Sequence, residues 1–238
     1  MNEIDLKNIT KRFGSQSVLD SVSFSIEPGR VIGLLGENGA GKTTLLRILG
    51  GTLEPDSGTI LFNGVPTTSQ LRRRQTAVLH GGNAGLYEDL TVRDNIAYFA
   101  KLRGLSDSEQ RKAIRYLADR FKITDYLDKK AGKLSTGMRQ KTAIVRALIH
   151  NPSIILFDEP DSGLDFSAAE AVDSFLFDCA NEGKTVVISS HSAGDVLALC
   201  ESIILLHQGI LGSCYSISEL TDGKSFKEAY ASLHRMVG

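Results

Sequence analysis

Between Gly36 and Thr44 the chain reads Gly-Glu-Asn-Gly-Ala-Gly-Lys-Thr-Thr, residue types that together suit the holding of phosphate. Glycines at 36, 39 and 41 let backbone N–H groups turn inward into a cradle for anionic oxygens, with Glu37, Asn38, Ala40 and Thr44 completing the loop. Lys42 is long enough to reach the outer phosphates, and Thr43 carries a hydroxyl suited to Mg²⁺. An apolar run, Val31-Ile-Gly-Leu-Leu35, precedes the loop, and a helix-like segment, Thr44-Leu-Leu-Arg-Ile-Leu49, follows it. The order strand, glycine loop, helix is the context a phosphate loop needs, and the helix N-terminus adds its positive end. A plain glycine turn between strand and helix is the bland alternative. The length of the pattern and its flanks favour a site for a nucleoside triphosphate.

Other residues fit the same chemistry. Ile154-Ile-Leu-Phe-Asp158-Glu159 is an apolar strand ending in two carboxylates, at the C-terminal strand edge where ligands of open α/β sheets sit. Asp158 can hold Mg²⁺ through water, and Glu159 can polarise an attacking water as general base. Alone, the pair reads equally well as a strand meeting solvent at an acidic turn. His191 ends the strand Thr185-Val-Val-Ile-Ser-Ser-His191, where a histidine is usually a polar cap. On a strand neighbouring that of Asp158 it would reach a γ-phosphate. Leu134-Ser-Thr-Gly-Met138 opens a helix, with Ser135 as a good N-cap. Read functionally, Ser135, Gly137 and that helix N-terminus form a second phosphate-binding surface, facing a nucleotide other than the one in the chain's own loop.

The elements that must position these groups follow from patterning. Even spacing of Ile4, Leu6, Val18, Val22, Phe24 and Ile26 predicts half-buried strands, with turns at Phe13-Gly14-Ser15 and Glu27-Pro28-Gly29. A further strand covers Gly58–Phe62 and ends at Asn63-Gly64. From about 85 to 150 the pattern is helical: Ser106 and Glu109 form a capping box, and Ile114, Leu117, Ala118 and Phe121 share one face. A second long helix runs from about Thr136 to His150 and stops before Asn151-Pro152. Beyond Pro152 come the strand Ile154–Phe157, a helix near Ser167–Ala180, and strands Thr185–Ser189 and Ile203–His207. Apolar strands between helices predict a parallel sheet covered on both faces. The expected architecture is an α/β nucleotide-binding core with a β-rich N-terminal portion and a helical insertion.

The bulk properties are those of a soluble globular chain: 238 residues, 42% hydrophobic, 23% charged, net charge −1. That balance gives no electrostatic argument for nucleic acid, and Arg72-Arg73-Arg74 reads as a solvated turn. Cys179, Cys200 and Cys214 lack metal-ligand spacing and fit a reduced compartment. No apolar run approaches the about 20 residues of a membrane-spanning helix, and the N-terminus lacks signal-peptide character.

Taken together, these motifs resemble the ATP-binding subunit of an ABC transporter over nearly the whole chain. The pieces that match are the Walker A loop GENGAGKTT, the signature LSTGM, the Walker B strand IILFDE, the following DSGLD ending at Asp165, and His191, in the family's order and spacing. The resemblance implies an ABC-type P-loop fold in a single domain: a core at about 1–84 and 151–215, a helical subdomain at about 85–150, and a short helical tail at about 216–238. It implies ATP and Mg²⁺ as ligands, and a head-to-tail dimer, of identical or pseudo-symmetric copies, around two ATP molecules. Walker A of one copy and Ser135, Thr136 and Gly137 of the other would hold each nucleotide. Asp165 would help connect the two sites, and Phe13 sits where the family places an aromatic that stacks on adenine. Hydrolysis would drive a separate integral-membrane permease, placing the chain in the cytoplasm on the membrane's inner face.

With Thr136 where glycine is commoner, LSTGM followed by Arg-Gln-Lys is similar to bacterial exporters that include sodium-extrusion systems. The family's glutamine near the strand Thr76–Leu79 is missing, because its place falls on Gly81 or Gly82; Asn83 could substitute through its amide oxygen. The segment from about Gly81 to Arg103, presenting Leu86, Tyr87 and Leu90, is the expected permease contact. A soluble ABC-type ATPase acting on nucleic acid or ribosomes is the competing class; it fits less well because the chain has one Walker A, one signature and no heptad run. A regulatory, non-hydrolysing switch is disfavoured by the presence of Glu159.

Overall fold

The computed structural model describes residues 3–80, 85–159, 166–222 and 228. Compact packing divides the chain into two units: Met1–Val78 with Ser153–Glu159 and Leu176–Gly238, and Leu79–Pro152 with Pro160–Phe175.

In the first unit the alternating N-terminal residues form β1 (Ile4–Phe13) and β2 (Gln16–Ile26), an antiparallel pair turning at Gly14. Ile4, Leu6, Ile9, Leu19, Val22 and Ile26 are buried, while the residues between them are mostly exposed, so this sheet buries one face. After β3 (Val31–Leu35) and α1 (Lys42–Leu49), β4 (Ser57–Phe62) and the short β5 (Val65–Pro66) complete it in the order β2-β1-β4-β5. Then comes α2 (Ser69–Gln75). It corrects the expectation of a solvated arginine turn: Arg72 is buried, donating to Glu54 and to Thr67, and Arg73 donates to the carbonyl of Gly51 at 2.7 Å. Consecutive arginines on a helix point to different sides, so one can enter the core with a carboxylate partner.

The central sheet adds β6 (Thr76–His80), β7 (Ile154–Asp158), β8 (Thr185–Ser190), β9 (Ser202–His207) and β10 (Ile210–Ser216), in the order β10-β9-β3-β8-β7-β6. β9, β3, β8 and β7 run parallel, and β10 returns antiparallel to β9. β3, β7 and β8 are buried along their whole length, which is why their sequences read as apolar runs rather than alternating ones. On one face, Ile32 and Leu34 join Leu45, Leu46 and Leu49 of α1 and Ile4 and Leu6 of β1 in one core cluster. Each such aliphatic side chain contributes about 1.5–3 kcal/mol by burial. After β7 the chain forms α6 (Phe166–Asn181), and after β8 it forms α7 (Ala193–Leu199); Gly33 points to the opposite face of the sheet, against α7. A Cβ at Gly33 would collide with Val196 and press on Cys200 Sγ at 3.2 Å, so α7 sits close only because residue 33 has no side chain. The last described helix, α8 (Ile217–Thr221), lies within the expected tail; residues 229–238 are outside the described set.

The second unit contains α3 (Val92–Leu102), α4 (Asp107–Arg120) and α5 (Thr136–Leu148), with single 3-10 turns at Thr124–Tyr126 and Ala131–Lys133. Thr91 caps α3, and Ser106 with Glu109 forms the capping box of α4. The fully buried Asn95 pins the segment ahead of α3: its amide donates to the carbonyls of Tyr87 and Thr91 and its oxygen accepts from the Tyr87 N–H at 2.8 Å. Leu86 accordingly turns inward, correcting the expectation that it is presented, whereas Tyr87, Leu90, Tyr98 and Leu102 are exposed. The rings of Tyr87 and Tyr98 meet edge to face at 5.5 Å.

Candidate functional site

The loop between β3 and α1 owes its shape to glycine. Gly41 lies in the left-handed region at φ 105° and is the N-cap residue of α1. A side chain there would meet the carbonyl oxygen of Val18 at 2.8 Å and Leu19 Cδ2 at 2.9 Å. No side-chain hydrogen bond caps α1, so its start is dressed by backbone alone. The Ala40 N–H donates back to the Glu37 carbonyl at 3.1 Å, which closes the loop. Lys42 is buried, and its Nζ donates to the carbonyls of Gly36 at 2.6 Å and Glu37 at 3.0 Å. Burial holds its pKa below the usual lysine value, against the opposing pull of the Glu159 and Asp158 carboxylates.

β7 and β8 pair in parallel with Asp158 opposite Ser189, so the two strand ends deliver their last residues side by side. The Thr43 hydroxyl, from the first turn of α1, donates to Asp158 Oδ1 at 3.3 Å. On that same oxygen the Ser189 hydroxyl donates at 2.6 Å. Glu159 follows with φ 52°, a conformation costly for a residue with a side chain. Its N–H is held by Ser189 twice over, by the carbonyl and by Oγ, each at 3.2 Å. His191 Nδ1 lies 3.3 Å from Glu159 Oε1, and both side chains reach solvent. Phosphate loop, hydroxyl, two carboxylates and imidazole thus converge at one edge of the first unit. This donor set is hard oxygen plus ammonium and backbone N–H, the kind that suits a magnesium–phosphate ligand.

Phe13 ends β1 with its ring half exposed and Lys11 Nζ 5.6 Å from its centroid. Ser135, in the second unit, is the N-cap of α5 and accepts from the Met138 N–H at 3.4 Å. Ser135 and Thr136 are exposed and Gly137 is half-buried. Asp165 lies outside the described residues, as do Gly81, Gly82 and Asn83. The sequence reading did not single out Ser189 or Asn95. For Ser189 the available signal was a hydroxyl directly after the apolar run Val186-Val-Ile188, at the end of a strand buried along its whole length. For Asn95 it was a polar residue on the apolar stripe of a helix, one position from Ile96.

Residues 19–162 match the family model described as ABC transporter. The chain is 43% identical over 212 residues to the ABC transporter ATP-binding protein NatA of Bacillus subtilis (strain 168), covering 87% of this chain and 86% of that protein. It is 36% identical over 208 residues to the Nod factor export ATP-binding protein I of Burkholderia thailandensis, covering 87% and 68%. Among solved structures, the ATP-binding subunit of an ABC transporter superposes with a TM-score of 0.85 at 29% identity, over 97% of this chain and 98% of that one. An ATP-binding cassette solved as a dimer in a post-hydrolysis state bound to ADP and Pi matches with a TM-score of 0.79 at 28% identity, over 90% of this chain and 98% of that one.

Proposed function

The chain belongs to the ABC transporter family as an ATP-binding subunit whose hydrolysis of ATP energises transport, and from that premise we propose how its residues divide the work. Gly36, Glu37, Asn38, Gly39, Ala40, Gly41, Lys42, Thr43 and Thr44 wrap the phosphates through backbone N–H groups and the Lys42 ammonium. Phe13 stacks on the base. Thr43 and Asp158, already joined at 3.3 Å, hold Mg²⁺. The ion, when bound, neutralises charge on the phosphates. Glu159 polarises the attacking water, and His191, 3.3 Å from it, orients that carboxylate and reaches the γ-phosphate. The observation that carries this reading is the convergence of Thr43, Asp158, Glu159 and His191 at the ends of adjacent parallel strands beside the phosphate loop.

The remaining half of each site comes from a second copy, or a pseudo-symmetric partner, through Ser135, Thr136 and Gly137, with Asp165 linking the two sites. The core at about 1–84 and 151–215 handles nucleotide, and the helical part at about 85–150 meets the permease. Tyr87, Leu90, Tyr98 and Leu102 supply exposed apolar anchors there. Among the described residues no helix is long and apolar enough to cross a membrane. In this reading the membrane-spanning work falls to that permease, with this chain on its cytoplasmic side. Export is the supported direction, since a relative 36% identical carries export in its name.

Replacing Glu159 by glutamine tests the assignment of the base. The shape is kept and the base removed, so turnover should fall about 10²–10⁴-fold while ATP binding persists. Turnover near that of the unaltered chain would remove Glu159 from this role.

A further inference from the structure

We infer that Ser189 is a positioning residue for hydrolysis, acting through Asp158 and Glu159; the inference rests on the roles proposed above for those two carboxylates. Its hydroxyl is fully buried. With one oxygen it donates to Asp158 Oδ1 at 2.6 Å and accepts from the Glu159 N–H at 3.2 Å. A short bond to a carboxylate is charge-assisted, stronger and more directional than a bond between neutral groups. It fixes the rotation of the Asp158 carboxylate, whose same oxygen takes the Thr43 hydroxyl. The other half of the contact acts on backbone. Glu159 sits at φ 52°, where a residue with a Cβ stays only if its surroundings hold it, and both groups that hold its N–H belong to Ser189. One side chain therefore sets the orientation of the carboxylate proposed for Mg²⁺ and, together with its own backbone carbonyl, that of the residue proposed as base.

A valine or alanine at 189 would satisfy the packing of a buried strand without making either bond. A hydroxyl serves here because two polar groups meet at the end of β8, and Ser189 stands opposite Asp158 in the parallel register. The same register that makes the sheet thus aims the hydroxyl.

The test uses the full chain with ATP and Mg²⁺. Ser189→Ala should lower kcat about 10- to 100-fold, the usual cost of losing an outer-shell partner, leave the Kd for ATP measured without Mg²⁺ unchanged, and raise the Mg²⁺ concentration giving half-maximal turnover. Placed on top of Glu159→Gln, it should cost less further turnover than it costs alone, because no base is left to position and only its effect through Asp158 remains. Ser189→Cys, a poorer donor of similar size, should give the same pattern and serves if the alanine variant does not fold. A kcat close to that of the unaltered chain overturns the inference, as does a loss of kcat accompanied by an equal loss of metal-free ATP binding. If Glu159→Gln abolishes turnover while the Ser189 variants keep it, this inference alone fails; if Glu159→Gln keeps turnover, the assignment of the base fails instead.

Discussion

Two helices of this chain begin where a phosphate is proposed to sit, and they begin differently. The start of α1 has no side-chain cap: Gly41 at φ 105° leads in, and the loop before it is backbone. The start of α5 has its own cap, the Ser135 hydroxyl accepting from the Met138 N–H. Thr68, Thr91 and Ser106 do the same for α2, α3 and α4, so among α1 to α5 only the first lacks such a bond. A self-capped helix is stable without a ligand, whereas a glycine-led one relies on whatever its N–H groups bind. The contrast fits the proposal that α1 opens the primary phosphate site. α5 is a finished helix on its own, which fits the proposal that its exposed Ser135 and Thr136 meet a nucleotide already bound elsewhere.

Lys42→Met removes the ammonium beside the α1 loop, and ATP binding to the isolated chain should weaken about 10- to 100-fold, the worth of a hydrogen bond to a charged group; titration calorimetry measures it, and Ser135→Ala should leave that affinity alone. Gly41→Ala forces a side chain into the left-handed region against Val18 and Leu19 and should lower stability by about 1–3 kcal/mol, read from the denaturant midpoint, with nucleotide affinity falling alongside. Ser135→Ala should cost about 0.5–2 kcal/mol through loss of the cap in the same denaturation experiment, and should also weaken ATP-driven association. The smallest effect concerns protons. Burial lowers the folded-state pKa of Lys42 below 10.5, so between that lowered value and 10.5 the unfolded chain binds more protons and stability rises with pH. Below the window both states are charged and the penalty is constant. Lys42→Met should flatten the rise in Tm across that range, and ATP, by restoring the charge, should be taken up together with protons in alkaline buffer.

How far the sequence exposes these features depends on how local their causes are. The phosphate loop is legible from residues 31–49 alone, because glycine φ values, a lysine and a following helix are set within a few positions. The caps at Thr91 and Ser106 are equally local; the Ser106 box shows in the chain as Ser followed by Glu109. Ser189 is different. Its partners, Asp158 and Glu159, are 31 and 30 residues away, and only the β7–β8 register brings them together. Arg72 was misread for a related reason: nothing in a run of arginines says which one will meet Glu54. Leu86 likewise turns inward because Asn95, on the next helix, fixes the backbone after it.

The two helix starts are proposed to serve one nucleotide from different copies of the chain, and mixing two disabled variants distinguishes this from a site built within one copy. Lys42→Ala spoils the α1 loop and Ser135→Arg spoils the α5 start, so each should hydrolyse ATP poorly alone. Mixed in equal amounts they should regain activity, up to about a quarter of the unaltered rate, because half the dimers are mixed and each of those holds one whole site. If both helix starts served the nucleotide within one copy, no mixed dimer would contain a whole site, and the mixture would stay as inactive as its parts.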